Sequence, residues 1–422
     1  MTRPLTAVHS VVSLRASYGG PARSVPALCD ALAARGVAVQ LLTVENEAAG
    51  NPLVLPRAPG VHVSRIAAVV DRSGVALSAR GYRSAIDTVV GEVIALALGE
   101  TFTSTVVPGV SDAPASSTAS RSRPAHEIIL HDHGMWRATN RAMASVARAR
   151  RIALVTSTRG MAMTWSLAHH AWRKRLALAL YARRDLATAH ALHATSEQEA
   201  AQLRELGLRA PIAIIPNGIA LPAHVAPAPP ERPHRQLLFL GRIASVKGLL
   251  PLIDAWAAAR LDGWRLAIAG PDEGDYRLLV DDAIRRTHAG LSVSLLGPVD
   301  DVVKWKLLAE SDALVLPSVN ESFGIAVAEA LAAARPVIAS TATPWESVAA
   351  AGCGWHVGHG DAMVESLRSL AALSDAERAA MGARGRAFAE SQLAWPRVAE
   401  RIEGLYRWVL GGGTAPDWVR TT

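Results

Sequence analysis

Short apolar runs alternate with segments of helical period along most of the chain, and this alternation is its most constraining feature. Apolar runs stand at 237–240, 265–268, 293–296 and 313–316, and helical segments at 249–260, 276–287 and 325–334. Strand and helix in alternation form parallel sheets with right-handed crossovers, so the pattern predicts an α/β fold. The 422-residue length favours two doubly wound domains over a single sheet, with an α/β barrel as the alternative.

Two breaks interrupt the pattern. Residues 216–233 are rich in Pro and Ala and lack periodicity, which predicts a linker between domains at 1–216 and 217–395. After Trp395, apolar residues return at helical spacing, which predicts a final helix over 396–412. Residues 104–124, rich in Ser, Thr, Ala, Pro and Gly, are predicted to form a mobile loop in the first domain.

The composition indicates the cellular compartment of the protein. The two cysteines, Cys29 and Cys353, are far apart in sequence, which argues against a disulfide framework or a Cys-rich zinc site and indicates the cytoplasm. The first residues contain no uninterrupted apolar core and no long apolar run follows, so neither a signal peptide nor a membrane span is expected.

Positive charge is concentrated in one part of the first domain. The net charge is +7, and the basic residues outnumber the acidic ones strongly between Arg137 and Asp185, where Met, Trp and Leu are interspersed. Such a stretch suits an anionic lipid surface, a polyphosphate substrate or a nucleic acid. A solvated helix face explains it equally well.

Two motifs in the first half carry candidate ligand-binding groups. Gly19 and Gly20 precede a helix, where unpaired N–H groups can bind a phosphate, although a plain turn has the same sequence. His131-Asp132-His133-Gly134 follows a strand, where the side chains of open sheets tend to form sites. His133 is therefore a candidate hydrogen-bonding group; a metal pair with His131 and a structural role remain alternatives.

Two further motifs lie in the second half. Arg242 and Lys247 occupy one strand-to-helix loop, from which two cations can converge on a diphosphate. Glu321 and Glu329 flank Gly324; if helix filled most of that interval, the two carboxylates would be roughly 12 Å apart along its axis. That is the reach from a sugar to the ribose of a nucleotide sugar.

In this order, the four motifs resemble those of the retaining glycosyltransferases of family 4, which have the GT-B fold. The resemblance extends from about Ser17 to Val409 and includes Arg159 in Ser-Thr-Arg-Gly-Met and Asn217 in Ile-Pro-Asn-Gly-Ile. Thr158 and Ala220 depart from the usual residues, and both lie outside the donor motifs.

The resemblance implies two Rossmann-like domains that face each other across a cleft, with the final helix crossing back onto the first. Arg242 and Lys247 would bind the diphosphate and Glu329 the ribose, while Glu321 and the backbone of Phe323, Gly324 and Ile325 would bind the donor sugar. Gly19, Gly20 and His133 would reach the donor from the first domain, and the base would lie near Gly270 and Val299. The implied catalytic residues are His133, Arg242, Lys247 and Glu321.

The implied activity is transfer of a hexose from a UDP- or GDP-sugar with retention of configuration. No cofactor or metal is expected, because the cations and a helix N-terminus can stabilise the leaving diphosphate and the chain has no Asp-x-Asp motif. The expected acceptor is a lipid-linked saccharide in bacterial capsule, exopolysaccharide or lipopolysaccharide synthesis, with the protein peripheral on an anionic inner leaflet. No nucleic-acid partner is expected.

Four alternatives remain open. The acceptor could be a soluble small molecule, or the chain could bind a nucleotide sugar without catalysis. A metallohydrolase would explain His131 and His133. A nucleic-acid-binding protein would explain the arginines, but the basic stretch contains no known recognition motif.

Overall fold

The computed structural model describes residues 3–15, 18–45, 52–67, 79–98, 127–168, 171–224 and 233–421. The chain divides into two compact units: unit 1, comprising Met1–Gly218 and Trp395–Thr422, and unit 2, comprising Ile219–Ala394. The predicted loop at 104–124 and residues 225–232 of the predicted linker lie outside the described residues.

The first segment of unit 1 alternates strands with helices. The strands are β1 (Leu5–Val11), β2 (Ala38–Glu45), β3 (Val61–Ala67), β4 (Glu127–His133), β5 (Ala153–Ser157), β6 (Ala191–Ala194) and β7 (Ile212–Ile214). The helices are α1 (Gly20–Ala34), α2 (Ala79–Leu98), α3 (Ala138–Arg150), α4 (Thr164–Ala168), α5 (Ala171–Ala177), α6 (Arg183–Ala187) and α7 (Glu197–Glu205). A π-helical turn, Leu178–Ala182, joins α5 to α6.

These strands form a parallel sheet in the order β3-β2-β1-β4-β5-β6-β7. The chain adds strands outward from β1 in one direction and then from β4 in the other. The strand order therefore reverses between β1 and β4, and in open α/β sheets ligands bind beyond the carboxyl ends of the strands at such a point.

Unit 2 repeats the same arrangement with a smaller sheet. Its strands are β8 (Arg235–Leu240), β9 (Trp264–Ala269), β10 (Val293–Gly297), β11 (Ala313–Leu316), β12 (Val337–Ser340) and β13 (Gly354–Val357). Its helices are α8 (Leu249–Ala259), α9 (Tyr276–Arg286), α10 (Asp301–Glu310), α11 (Ile325–Ala332), α12 (Ser347–Ala350), α13 (Asp361–Ala372) and α14 (Asp375–Phe388). The parallel order β10-β9-β8-β11-β12-β13 reverses between β8 and β11.

The chain returns to unit 1 through α15 (Trp395–Gly411) and ends with β14 (Val419–Arg420), which pairs antiparallel with β7. The inward face of α15 packs with that of α1 in one apolar cluster, so the last helix completes the core of unit 1. At the passage between units, the Ile219 N–H donates to the Leu393 carbonyl at 2.8 Å, and the two chain segments lie side by side there.

The structure contains two open sheets, so the prediction of two doubly wound α/β domains is confirmed and the α/β barrel is excluded. Strands buried on both faces explain the pattern, because helices cover each sheet on two sides and the strand residues must be apolar throughout. No helix in the described ranges is both long and apolar enough to cross a bilayer.

Candidate functional site

The loops that follow β8 and β11 begin at the point where the strand order of unit 2 reverses. They are joined by a backbone hydrogen bond, 2.9 Å long, from the Val319 N–H to the Val246 carbonyl. Gly248 allows this approach: its φ is +67°, and a Cβ there would lie 2.0 Å from the Pro317 carbonyl oxygen. Any larger residue would force the two loops apart.

This approach brings Lys247 and Glu321 together. The Lys247 Nζ forms an ion pair with Glu321 Oε2, and the two side chains are only 14% and 15% exposed. The Ser318 hydroxyl lies 3.5 Å from the same oxygen. A shielded ammonium and a carboxylate thus meet at the edge of the sheet where a ligand is expected, which makes this pair the centre of the candidate site.

Arg242, in the loop after β8, forms a separate ion pair with Glu273, in the loop after β9. Its Nη1 is 2.5 Å from Glu273 Oε2, and both side chains are more than half exposed. The structure therefore does not bring Arg242 to the Lys247 and Glu321 pair. Convergence of Arg242 and Lys247 on one diphosphate remains a prediction, and it requires the exposed pair with Glu273 to open.

The segment between Glu321 and Glu329 is helical only in its second half. Helix α11 starts at Ile325, after Gly324 with a φ of +76°. The Trp345 indole N–H donates to the Phe323 carbonyl and holds the turn. The assumption that helix fills most of the interval is therefore wrong, because the left-handed glycine ends the extended loop before the helix can begin.

Glu329 has a partner that the sequence did not reveal. The Lys304 Nζ on α10 lies 2.6 Å from Glu329 Oε1 and 2.9 Å from Asp301 Oδ1. Asp300 caps α10 by accepting from the Val303 N–H at 2.8 Å, which places Lys304 in the first turn. Lys304 is one of four lysines in a chain rich in arginine, and that scarcity is the one signal that could have identified it.

Replacing Lys304 by Met is expected to weaken nucleotide binding about tenfold, the equivalent of one charge-assisted hydrogen bond. The reason is that Glu329, proposed to bind the ribose, would lose the ammonium that orients it. Isothermal titration with UDP and GDP measures the effect. Lys306→Met on the exposed side of α10 is the matched control, and equal affinities for the two variants would contradict the assignment.

The remaining predicted donor residues of unit 2 surround the same edge. Gly270 has a φ of +151°, and a Cβ there would lie 1.8 Å from the Gly241 carbonyl oxygen, so close backbone packing alone accounts for this glycine. Val299 is partly buried just before α10. Phe323 is buried and Ile325 is exposed. A base site near Gly270 and Val299 remains a prediction.

Unit 1 holds a cluster of histidines at its own reversal point. His9 on β1 stands opposite His131 on β4 in the parallel register, and His133 lies two residues further along the same face of β4. All three rings are buried. Their nitrogen atoms lie within 4.8 Å of one another, so His9 is the third histidine that the sequence did not connect to the motif.

His133 has no free ring nitrogen in this arrangement. Its Nδ1 accepts from Arg159 Nη2 at 3.0 Å and from Nε at 3.3 Å, and its Nε2 lies 3.0 Å from His9 Nδ1. A ligand that bonds to this ring must replace one of these partners. Gly19, with a φ of +90°, and Gly20 have open space where a Cβ would stand. Their predicted donor roles, like that of His133, remain predictions.

Three close histidines could hold a metal ion, but their surroundings oppose it. The guanidinium of Arg159 repels a divalent cation at His133, and a hydrogen bond between His9 and His133 already occupies one nitrogen of each. A metal would have to break these bonds. The geometry therefore favours a hydrogen-bonded cluster, and metal independence stays a prediction.

Burial sets the protonation of this cluster. Desolvation lowers the pKa of His9 and of His193 to about 3 and holds the pKa of His131 and His133 well below the ordinary histidine value. Burial also raises the pKa of the Asp132 carboxyl to about 6, against the hydrogen bonds from Ser10 and Asn140 that lower it. His9, His131, His133 and His193 are thus neutral at pH 7.

Two parallel α/β sheets, each with a reversal in its strand order, form a fold that other solved proteins share. Sucrose-phosphate synthase of Thermosynechococcus elongatus has the same fold, with a TM-score of 0.71 and 19% identity over 97% of this chain and 100% of that one. Family models match along the sequence: the glycosyl transferase 4-like domain at residues 19–218 and glycosyl transferases group 1 at residues 226–388. The chain belongs to the group 1 glycosyltransferases and has the GT-B fold.

Curated relatives match parts of the chain. Phosphatidyl-myo-inositol mannosyltransferase of Mycobacterium leprae is 32% identical over 220 residues, which are 47% of this chain and 54% of that protein. GDP-mannose:cellobiosyl-diphosphopolyprenol alpha-mannosyltransferase of Komagataeibacter xylinus is 31% identical over 188 residues, 42% of this chain and 47% of that one. The chain spans about half the length, or less, of the curated relatives it matches.

Proposed function

We propose that this protein transfers a hexose from a nucleoside-diphosphate sugar to a hydroxyl of a lipid-linked saccharide, with retention and without a metal. The observation that carries the proposal is the shielded Lys247 and Glu321 ion pair at the reversal point of unit 2. The second pair, Lys304 with Glu329, supplies a carboxylate suited to ribose hydroxyls on the neighbouring helix.

The proposed transfer reaction depends on stabilising the negative charge of the leaving diphosphate. Departure of the nucleoside diphosphate breaks the anomeric C–O bond and leaves negative charge on a phosphate oxygen, which the Lys247 ammonium stabilises. The acceptor hydroxyl attacks from the same face, and its proton passes to that departing oxygen. Glu321 then needs only to orient Lys247 and the sugar, and no protein nucleophile is assigned.

Nucleotide binding tests the donor half of the proposal. The melting temperature of the protein should rise with either UDP or GDP at saturating concentration, because a ligand that binds only the native state stabilises it by about 2.7 kcal/mol at a hundredfold excess over Kd. EDTA should not change the shift. Lys247→Met should abolish it. A shift that vanishes with EDTA would point to metal, and no shift with any nucleotide would refute the donor site.

The acceptor half rests on the surface of unit 1. Trp172, Leu176 and Leu180 are 67%, 51% and 69% exposed, and their four-residue spacing places them along one side of α5 and the π-helical turn. Arg173 and Arg175 are exposed on the same segment, and no acidic residue stands between 171 and 184. We define these five residues as the apolar-basic stripe.

This stripe suits an anionic bilayer. Apolar side chains can enter the headgroup region while each basic residue gains about 1 kcal/mol from the negative surface. The relative from K. xylinus is named for a diphosphopolyprenol acceptor, which is a membrane lipid. We therefore propose an acceptor of this class, as used in building bacterial surface polysaccharides, and a peripheral position on the cytoplasmic leaflet.

Vesicle sedimentation tests the stripe. The protein should bind vesicles with 30% phosphatidylglycerol at least about tenfold more tightly than neutral vesicles. Replacing Trp172, Leu176 and Leu180 together by Ser should remove this binding. The matched control is Leu278→Ser with Leu279→Ser, an exposed apolar pair on α9 of unit 2. Equal binding to both vesicle types, or to neither, would favour a soluble acceptor.

A further inference from the structure

Three buried histidines of unit 1, His9, His131 and His133, are linked by hydrogen bonds into one chain that reaches the final helix. Arg159 bonds to His133, and His133 Nε2 lies 3.0 Å from His9 Nδ1. The Tyr406 hydroxyl on α15 lies 3.2 Å from His9 Nε2 and 2.6 Å from His131 Nδ1. Each inner member thus uses both of its hydrogen-bonding positions within the chain.

The proton positions follow from one fact about arginine, whose guanidinium only donates. His133 Nδ1 must accept from Arg159, so the single proton of this neutral ring is on Nε2 and is donated to His9 Nδ1. His9 then carries its proton on Nε2 and donates to the Tyr406 oxygen. The Tyr406 hydroxyl has one hydrogen, which is left for His131 Nδ1. His131 therefore carries its proton on Nε2.

The chain ends at His131. His131 Nε2 is buried and has no hydrogen-bond partner in the part of the chain that the structure describes. His193 donates from Nε2 to the Ile215 carbonyl at 2.9 Å, which leaves its buried Nδ1 as a bare acceptor, also without a partner. The rings of His131 and His193 are 5.5 Å apart between centroids, so His193 is a neighbour of the chain and not a member of it.

We propose that Arg159 sets the proton positions of His133, His9 and His131 through this chain, and that Tyr406 is the positioning residue at its centre. Arg159 itself is anchored by Asn217, whose Oδ1 accepts from Nη1 at 2.5 Å. Burial lowers the pKa of the Arg159 guanidinium to about 10, which is still above neutrality, so the group keeps its positive charge beside His133. The ring of His133 consequently acts as a neutral hydrogen-bonding group.

The mechanistic consequence rests on the proposed function: His133 cannot serve as a general acid or base in the transfer. Protonation at Nδ1 would place a second cation against Arg159, and loss of the Nε2 proton would break the bond to His9. The proton of the acceptor hydroxyl then does not pass to this ring, in agreement with its proposed transfer to the departing diphosphate. The proton positions themselves do not depend on the reaction, so they can be tested separately.

Nitrogen NMR of the full-length protein, labelled with ¹⁵N-histidine, tests the proposal at pH 7.5. Long-range ¹H–¹⁵N spectra separate ring nitrogens that carry a proton from those that do not, and single His→Gln variants assign the rings. The wild-type spectrum should show Nε2 protonated and Nδ1 bare for His133, His9 and His131. A proton on Nδ1 of any of the three would overturn the proposal.

Two variants test the roles of individual members. Tyr406→Phe should release His131 into a mixture of both proton positions, while His133, still next to Arg159, keeps its proton on Nε2. Arg159→Met should release His133 in the same way. Tyr181→Phe, in the same unit but outside the chain, is the matched control and should leave all three rings unchanged. An unaltered His131 in Tyr406→Phe would overturn the positioning role.

Discussion

Replacing Lys247 by Met is expected to reduce turnover of the nucleotide sugar about a thousandfold, the largest single effect that the structure supports. Lys247 is shielded from water, so in the proposed reaction its charge would act on the leaving diphosphate with little screening. Hydrolysis of UDP- or GDP-hexoses can be measured without knowledge of the acceptor. Lys306→Met should retain full activity.

Loss of folding has to be separated from loss of chemistry, because Lys247→Met leaves Glu321 shielded and unpaired. That alone can cost a few kcal/mol of unfolding free energy. The double variant Lys247→Met with Glu321→Gln removes both charges and should recover most of this stability, as measured by urea denaturation. Its activity should remain as low as that of the single variant. Recovery of turnover together with stability would show that the pair is structural.

Acidification is expected to unfold unit 1 well above the pH at which carboxylates titrate. The four buried histidines, His9, His131, His133 and His193, have pKa values far below the unfolded value of about 6.5. Below this pH the four histidines therefore bind protons in the unfolded chain but not in the native chain. Stability from these groups is complete above about pH 6.5 and falls as the pH drops below it.

The size of this effect approaches the whole stability of a domain. At pH 5 each of the four histidines costs about 2 kcal/mol, or about 8 kcal/mol together. Asp132 acts in the opposite direction: its raised pKa of about 6 means that the native state binds this proton first, which restores about 1 kcal/mol of stability at pH 5. The net loss is comparable to typical unfolding free energies of 5–15 kcal/mol.

Urea denaturation between pH 7.5 and pH 5 measures this dependence. The slope should approach three protons below pH 6, four from the histidines less one from Asp132, which is about 4 kcal/mol per pH unit. His193→Gln keeps a donor for the Ile215 carbonyl and should reduce the slope by about one proton. A flat stability down to pH 5 would be incompatible with neutral, buried histidines.

The strands and the order of the motifs could be read from the sequence, because buried parallel strands are apolar throughout and their loops carry the polar residues. Register could not. His9 meets His131 only because β1 and β4 pair in one alignment, which no local pattern encodes. Tyr406 is one apolar-period residue among several on α15, and only tertiary packing brings its hydroxyl to the histidines.

The candidate site in unit 2 likewise combines features that the sequence predicts with features that only the tertiary structure shows. Lys247 and Glu321 could be proposed individually from loop position, whereas their pairing depends on the close approach that Gly248 allows. The 12 Å estimate assumed that helix fills most of the interval between Glu321 and Glu329, although the apolar pattern itself starts the helix at residue 325, where the structure also starts α11. Lys304 reaches Glu329 from another helix, beyond any local spacing rule.

The discontinuity of unit 1 determines the order in which this protein can fold during synthesis. Its two segments are separated by the whole of unit 2, so α15, with Tyr406, is translated after unit 2. A nascent chain that has left the ribosome up to residue 394 can complete unit 2, which is contiguous, but the core of unit 1 over α1 is still incomplete. The first segment of unit 1 therefore waits for α15, and a chain cut after residue 394 exposes the apolar surface that chaperones recognise.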